Sequence, residues 1–128
     1  MMKEETMHIE TRTEQGRLVA VVSCTQPLIT DAQSALDLLL SVRFETDADL
    51  LALDKRALPE DFFRLGTGLA SEVLQKFVNY HMKVAIFGDY SAYTSKPLRD
   101  FIRESNQGNA VFFPATKEDA IHRLTAGD

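Results

Sequence analysis

The chain is short of the residues that most often carry chemistry: it has one cysteine, three histidines and no tryptophan. A single thiol, Cys24, excludes an internal disulfide. His8, His81 and His122 have no partner His or Cys at the three- or four-residue spacing that sets two metal ligands side by side, so no metal site is expected. Long apolar runs are missing too. The runs Leu18 to Val22 and around Leu38 to Leu40 fall far short of the roughly 20 residues of a membrane span. Met1-Met2-Lys3-Glu4-Glu5 lacks the apolar stretch of a secretory signal, and a reducing cytoplasm is the expected location. Positive charge is scarce, with 14 basic against 19 acidic residues and a net charge of -5. The basic residues are scattered, which disfavours nucleic acid or an anionic membrane as main partner.

What is present is enough for one core. In 128 residues, 45% are apolar and 26% charged, the balance of a folded chain, and residues 1–128 read as a single domain. Met7 to Thr13 alternates in polarity, Glu14-Gln15-Gly16 supplies a turn, and Leu18 to Val22 is apolar on both faces: a β-hairpin whose second strand is central. Beyond Pro27, Ala32, Ala35, Leu36, Leu39 and Val42 share one face of a helix running to about Arg43. Thr30 and Gln33 have capping-box spacing at its start. Asp49 to Leu53 reads as a short buried strand. From Pro59, Phe62, Leu65, Leu69, Val73, Phe77 and Tyr80 follow at near-helical spacing and predict one long helix. Gly66 and Gly68 each cost that helix about 1 kcal/mol, which points to close packing against another backbone or, as the less favoured reading, to a break between two shorter helices. Val84 to Phe87 is the next strand. The loop from Gly88 to Ser95 leads to a helix with Pro97 in its first turn, then come a last strand, Val111 to Phe113, and a short final helix.

Strands alternating with helices after the hairpin define an α/β fold: a mostly parallel sheet with an N-terminal β-hairpin and right-handed βα crossovers. Ligands of such sheets gather where strands end and helices begin. If every crossover steps the same way, all helices cover one face and the other is bare. The strands are apolar on both sides, and a bare apolar face predicts a homodimer.

The candidate residues lie on that strand-end edge. Asp54 and Asp89 end strands expected to be adjacent, and two nearby carboxylates can be held at different pKa values. Lys55, Arg56, Lys96 or Arg99 would neutralise them, and the plainer reading makes each a loop or capping residue. Tyr90, Tyr93 and Ser95 sit in a loop of aromatic and hydroxyl groups ahead of Arg99 and Arg103, a composition suited to recognition. There the plainer reading has Ser95 capping the helix and the tyrosines packing on their neighbours. Asp61 and Phe62 open the stretch after Pro59 on the same edge. Cys24 also ends a strand, but His81 falls at the opposite end of the sheet, so no thiol–imidazole pair is expected. Gly66-Thr67-Gly68 and Gly88-Asp89-Tyr90 are both short of a phosphate-binding fingerprint, and no cofactor is expected.

Four stretches, Ala35-Leu36-Asp37-Leu38, Pro59 to Leu65, Leu74 to Tyr80 and Gly88 to Lys96, resemble the bacterial DUF4180 family across nearly the whole chain. That family is of unknown function, so the resemblance implies architecture and no catalytic residues. The order of elements more distantly resembles the SpoIIAA-like fold of STAS domains, in which a phosphorylatable Ser or Thr begins the helix after the third strand. Here that region reads Pro59-Glu60-Asp61-Phe62-Phe63 and has no hydroxyl, although two carboxylates stand where a phosphate would put charge. These readings lead to a non-enzymatic, dimeric binding or regulatory module with a regulatory protein partner. The alternative is a small-molecule-binding domain or enzyme using Asp54 and Asp89 as polar anchors.

Overall fold

The computed structural model describes residues 7–126. Strands β1 (Met7–Glu14) and β2 (Arg17–Cys24) pair antiparallel with Glu14 opposite Arg17, which leaves a two-residue loop. Gln15 and Gly16 both have positive φ, 54° and 75°, the mirror-image turn whose twist matches that of the strands it joins. The chain continues through α1 (Ala32–Thr46), β3 (Leu50–Asp54), α2 (Leu69–Asn79), β4 (Lys83–Phe87), α3 (Lys96–Gln107), β5 (Val111–Phe112) and α4 (Lys117–Thr125). The strands lie in the order β1-β2-β3-β4-β5, and every pairing after the hairpin is parallel. The expected α/β fold with a mostly parallel sheet is present.

Two local readings are corrected. The cap of α1 lies one residue later than Thr30–Gln33. Asp31 accepts a hydrogen bond from the Ser34 amide at 2.8 Å, and the Asp31 amide donates to Ser34 Oγ at 3.1 Å. Asp and Ser at the N-cap and third position satisfy the same two orphan amides as the more familiar Thr and Gln. The long helix from Pro59 is instead two short 3-10 turns, Glu60–Phe63 and Leu65–Thr67, followed by α2. Phe62 and Leu65 are three residues apart, a spacing that suits a three-residue turn as well as an α-helix. Gly68 breaks the run with φ of 79° at the α2 N-cap. A Cβ on Gly66 or Gly68 would meet nothing within 4 Å, so neither glycine serves close backbone packing.

Because successive residues of a strand point to opposite faces, the sheet carries two apolar layers. Ala20, Val22, Leu51, Leu53, Val84 and Ile86 pack against α1, α2 and Leu98 of α3. On the other face Val19, Val21, Leu50, Ala52, Ala85 and Phe112 pack against Ala120, Ile121 and Leu124 of α4. The expectation of a bare second face is therefore corrected, and the reason for expecting a homodimer goes with it. Helix α4 follows the edge strand β5 and crosses the sheet to β1 at the far edge. There Arg12 meets Glu118 at 3.1 Å and Lys117 meets Glu10 at 3.5 Å.

Candidate functional site

Strands β3 and β4 are neighbours, with Asp54 opposite Phe87 in the ladder, so Lys55 and Gly88 emerge side by side at the C-terminal edge of the sheet. Gly88 has a reason to be glycine, since a Cβ there would fall 2.6 Å from Lys55 Cβ. The Lys55 stem crosses this gap and carries its ammonium to the faces of three rings: Tyr93 at 4.9 Å, Phe63 at 5.0 Å and Tyr90 at 5.8 Å from the centroids. Phe63 and Tyr93 are themselves stacked, 5.2 Å apart at an interplanar angle of 25°. Lys55 thus joins the β3 end to the β4–α3 loop through an aromatic cage, where the sequence reading had it neutralising a carboxylate. Each such contact contributes roughly 0.5–1 kcal/mol at a partly exposed site.

The two strand-end carboxylates are spent locally. Asp54, 6% exposed, accepts from the Arg56 amide at 2.9 Å and pairs with the Arg56 guanidinium at 2.9 Å, capping the 3-10 turn Lys55–Ala57. Asp89 accepts from the Ser91 hydroxyl at 2.7 Å and from the Ser91 amide at 2.9 Å. These two bonds, with a smaller effect of the Lys55 charge, hold Asp89 below the usual carboxylate range. The plainer loop-and-cap reading describes both residues. Cys24 is buried, and burial, reinforced by the Asp54 charge, pushes its thiol up, away from a reactive thiolate. His81 precedes β4 and lies at the other end of the sheet. His8 pairs with Ser23 in the ladder, so its side chain leaves the face opposite to that of Cys24. Among the described residues no three His, Cys, Asp or Glu side chains converge as metal ligands would, and no helix is long and apolar enough to cross a membrane.

Behind the cage, between the β4–α3 loop and α3, lies an open groove of about 600 Å³. The loop contributes Tyr90, Ser91 and Tyr93; the helix contributes Arg99, Ile102, Arg103, Asn106 and Gln107. Both tyrosine hydroxyls are taken, Tyr90 donating to the Ile86 carbonyl at 2.7 Å and Tyr93 to the Glu60 carboxylate at 3.2 Å. The groove therefore meets ring faces and edges. Burial, helped by the Tyr93 and Asp54 charges, pushes the Tyr90 phenol well up, so it stays neutral.

Of the residues singled out in the sequence, Tyr90, Tyr93, Arg99 and Arg103 line the groove and Lys55 braces it from behind. The others do not line it. Phe62 is 1% exposed and belongs to the core, so its place on a contact surface is corrected; Asp61 pairs with Arg64 at 2.9 Å on the outside. Ser95 occupies the N-cap of α3 but makes no capping bond through its side chain, which corrects the plainer reading of it. Sequence reasoning missed Phe63, Ile102, Asn106 and Gln107 as site residues. Arg99, Ile102, Arg103 and Asn106 fall at i, i+3, i+4 and i+7, one stripe of a helix, and that spacing was the available signal.

Comparison with curated proteins and with solved structures found no match. The family model of the domain of unknown function DUF4180 matches residues 14–124, which takes in every strand after β1, all of the groove and nearly all of α4. The chain is a member of the DUF4180 family.

Proposed function

We propose that the protein is a cytoplasmic, non-enzymatic binding module of SpoIIAA-like architecture, which takes its ligand or regulatory partner in the groove between the β4–α3 loop and α3. The observation that carries the reading is that the groove is built in advance. Tyr90 and Tyr93 are held by their own hydroxyl bonds, by Phe63 and by Lys55, so their rings are ordered before anything binds and little further entropy is lost on association. The SpoIIAA-like reading rests on the hairpin followed by parallel strand–helix units. A phosphoswitch is not part of the proposal: Pro59 to Phe63 has no hydroxyl, and Thr67, just ahead of α2 at Leu69, donates its own to the Asp61 carbonyl at 2.8 Å. The enzyme alternative draws less support, since Asp54 and Asp89 are both engaged in local bonds. The proposal includes no dimer, because α4 covers the sheet face that argued for one.

The test is a mixed small-molecule screen read by amide chemical shifts of the labelled protein. Perturbations are expected at Ser91, Tyr93, Ile102 and Gln107, and Tyr93→Ala, checked for a dispersed folded spectrum, should abolish them. Perturbations gathered on another surface, or untouched by Tyr93→Ala, would overturn the reading.

A further inference from the structure

The groove is one-sided in its hydrogen-bonding chemistry. No Asp or Glu lines it, although the chain as a whole carries a net charge of -5. Among the described residues the Arg99 side chain makes no ion pair or hydrogen bond; only its backbone amide is engaged, donating to the Ser95 carbonyl. Arg103, one helical turn on, pairs with Asp100 at 3.0 Å, but Asp100 is shared with Lys96 at 2.7 Å, so one carboxylate serves two cations. Asn106 accepts from the Phe113 amide at 2.7 Å. A backbone amide can only donate, which identifies the bonded atom as Oδ1 and leaves the Asn106 amino group to donate. The oxygens that remain unclaimed, on Ser91 and Gln107, are neutral.

The groove thus presents surplus donors, two of them permanently charged, beside two aromatic rings and Ile102, in a volume within the range of small-molecule sites. We infer that its ligand is a small organic oxyanion, a carboxylate or phosphate monoester on a ring-sized apolar body. The anion pairs with Arg99 and Arg103, and the body lies against Tyr90, Tyr93 and Ile102. A neutral polar ligand would leave Arg99 unanswered, and a cation would face both arginines. This inference rests on the groove being the binding site and adds the class of ligand.

The experiment compares 3-phenylpropionate, its neutral isostere 3-phenylpropionamide and phenyl phosphate by chemical-shift titration of the full chain and of Arg99→Gln. The variant changes an exposed side chain and should fold as the wild type does. Both anions are expected to shift Ser91, Ile102 and Gln107 saturably, with a dissociation constant at least about tenfold below that of the amide, the scale of a charge-assisted hydrogen bond. Arg99→Gln should erase most of that preference, bringing the anions towards the amide. Equal binding of anions and amide would overturn the ligand class and leave the groove as the binding site. No shift in the groove with any probe would overturn both.

Discussion

At the residue scale, Lys55 is tied to rings where an ion pair might have been expected, and this sets what its loss costs. Lys55→Met keeps the stem and removes the charge, and should lower stability by about 1–2 kcal/mol in urea unfolding with an unchanged slope. Unaltered stability would make the ring contacts incidental. Gly88→Ala drives a methyl into Lys55 Cβ, an atom fixed by its own backbone, and should cost about 1–3 kcal/mol. Pairing it with Lys55→Gly should recover part of that loss. Tyr90 governs the alkaline limb. Its folded pKa is raised by burial, so the stability it contributes is fully present below about pH 10, where the unfolded phenol ionises, and declines as pH rises beyond that. Ultraviolet titration should find one of the three tyrosines silent until the chain unfolds. Tyr90→Phe should remove that silent class and move alkaline unfolding to higher pH. If every tyrosine of the folded wild type ionises near pH 10, Tyr90 is not buried.

At the scale of the element, the start of α1 separates two sequence patterns that look alike. Asp31→Ala should lower Tm by about 3 °C and Thr30→Ala by about 1 °C or less, because only Asp31 meets the Ser34 amide. The Ser34 bonds hold Asp31 below its ordinary pKa. Its contribution is therefore present above about pH 4 and lost as pH falls through the lowered value. The gap between the two variants should close in acid, and thermal melts at neutral and acid pH check both points. The segment before α2 shows why periodicity misled: Phe62, Leu65 and Leu69 are compatible with a continuous helix, and Gly66 and Gly68 were the evidence against it. A glycine costing helix stability is read correctly as a break when its φ is positive, and φ is not written in the sequence.

For the whole molecule, the side of the sheet taken by α4 decides most. Ile121 is 1% exposed and seals the second face, so Ile121→Ala should cost about 2–5 kcal/mol and promote association through the uncovered strands. Phe44 is 91% exposed on α1, and Phe44→Ala should stay within about 0.5 kcal/mol of wild type despite removing a larger side chain. Chemical denaturation and sedimentation of the two variants check the contrast; comparable losses would mean that the assignment of faces is wrong.

The alternation of strand and helix, the hairpin at Gln15-Gly16 and the buried β3 and β4 were all legible from local pattern, because polarity with period two or near four depends on residues close in the chain. Tyr90, Tyr93 and Arg99 could be marked for the same reason, lying within ten residues of one another at a strand end. What only the tertiary structure decided joins residues far apart. Lys55 reaches the rings of Tyr90 and Tyr93, and Tyr93 donates its hydroxyl to the Glu60 carboxylate. The largest decision of this kind is the return of α4 from β5 across to β1. A helix apolar on one side packs equally well against either face of a sheet apolar on both, so local pattern does not choose between them. The choice falls to the packing and to the ion pairs of Glu118 with Arg12 and of Lys117 with Glu10, which close a distance of more than 100 residues.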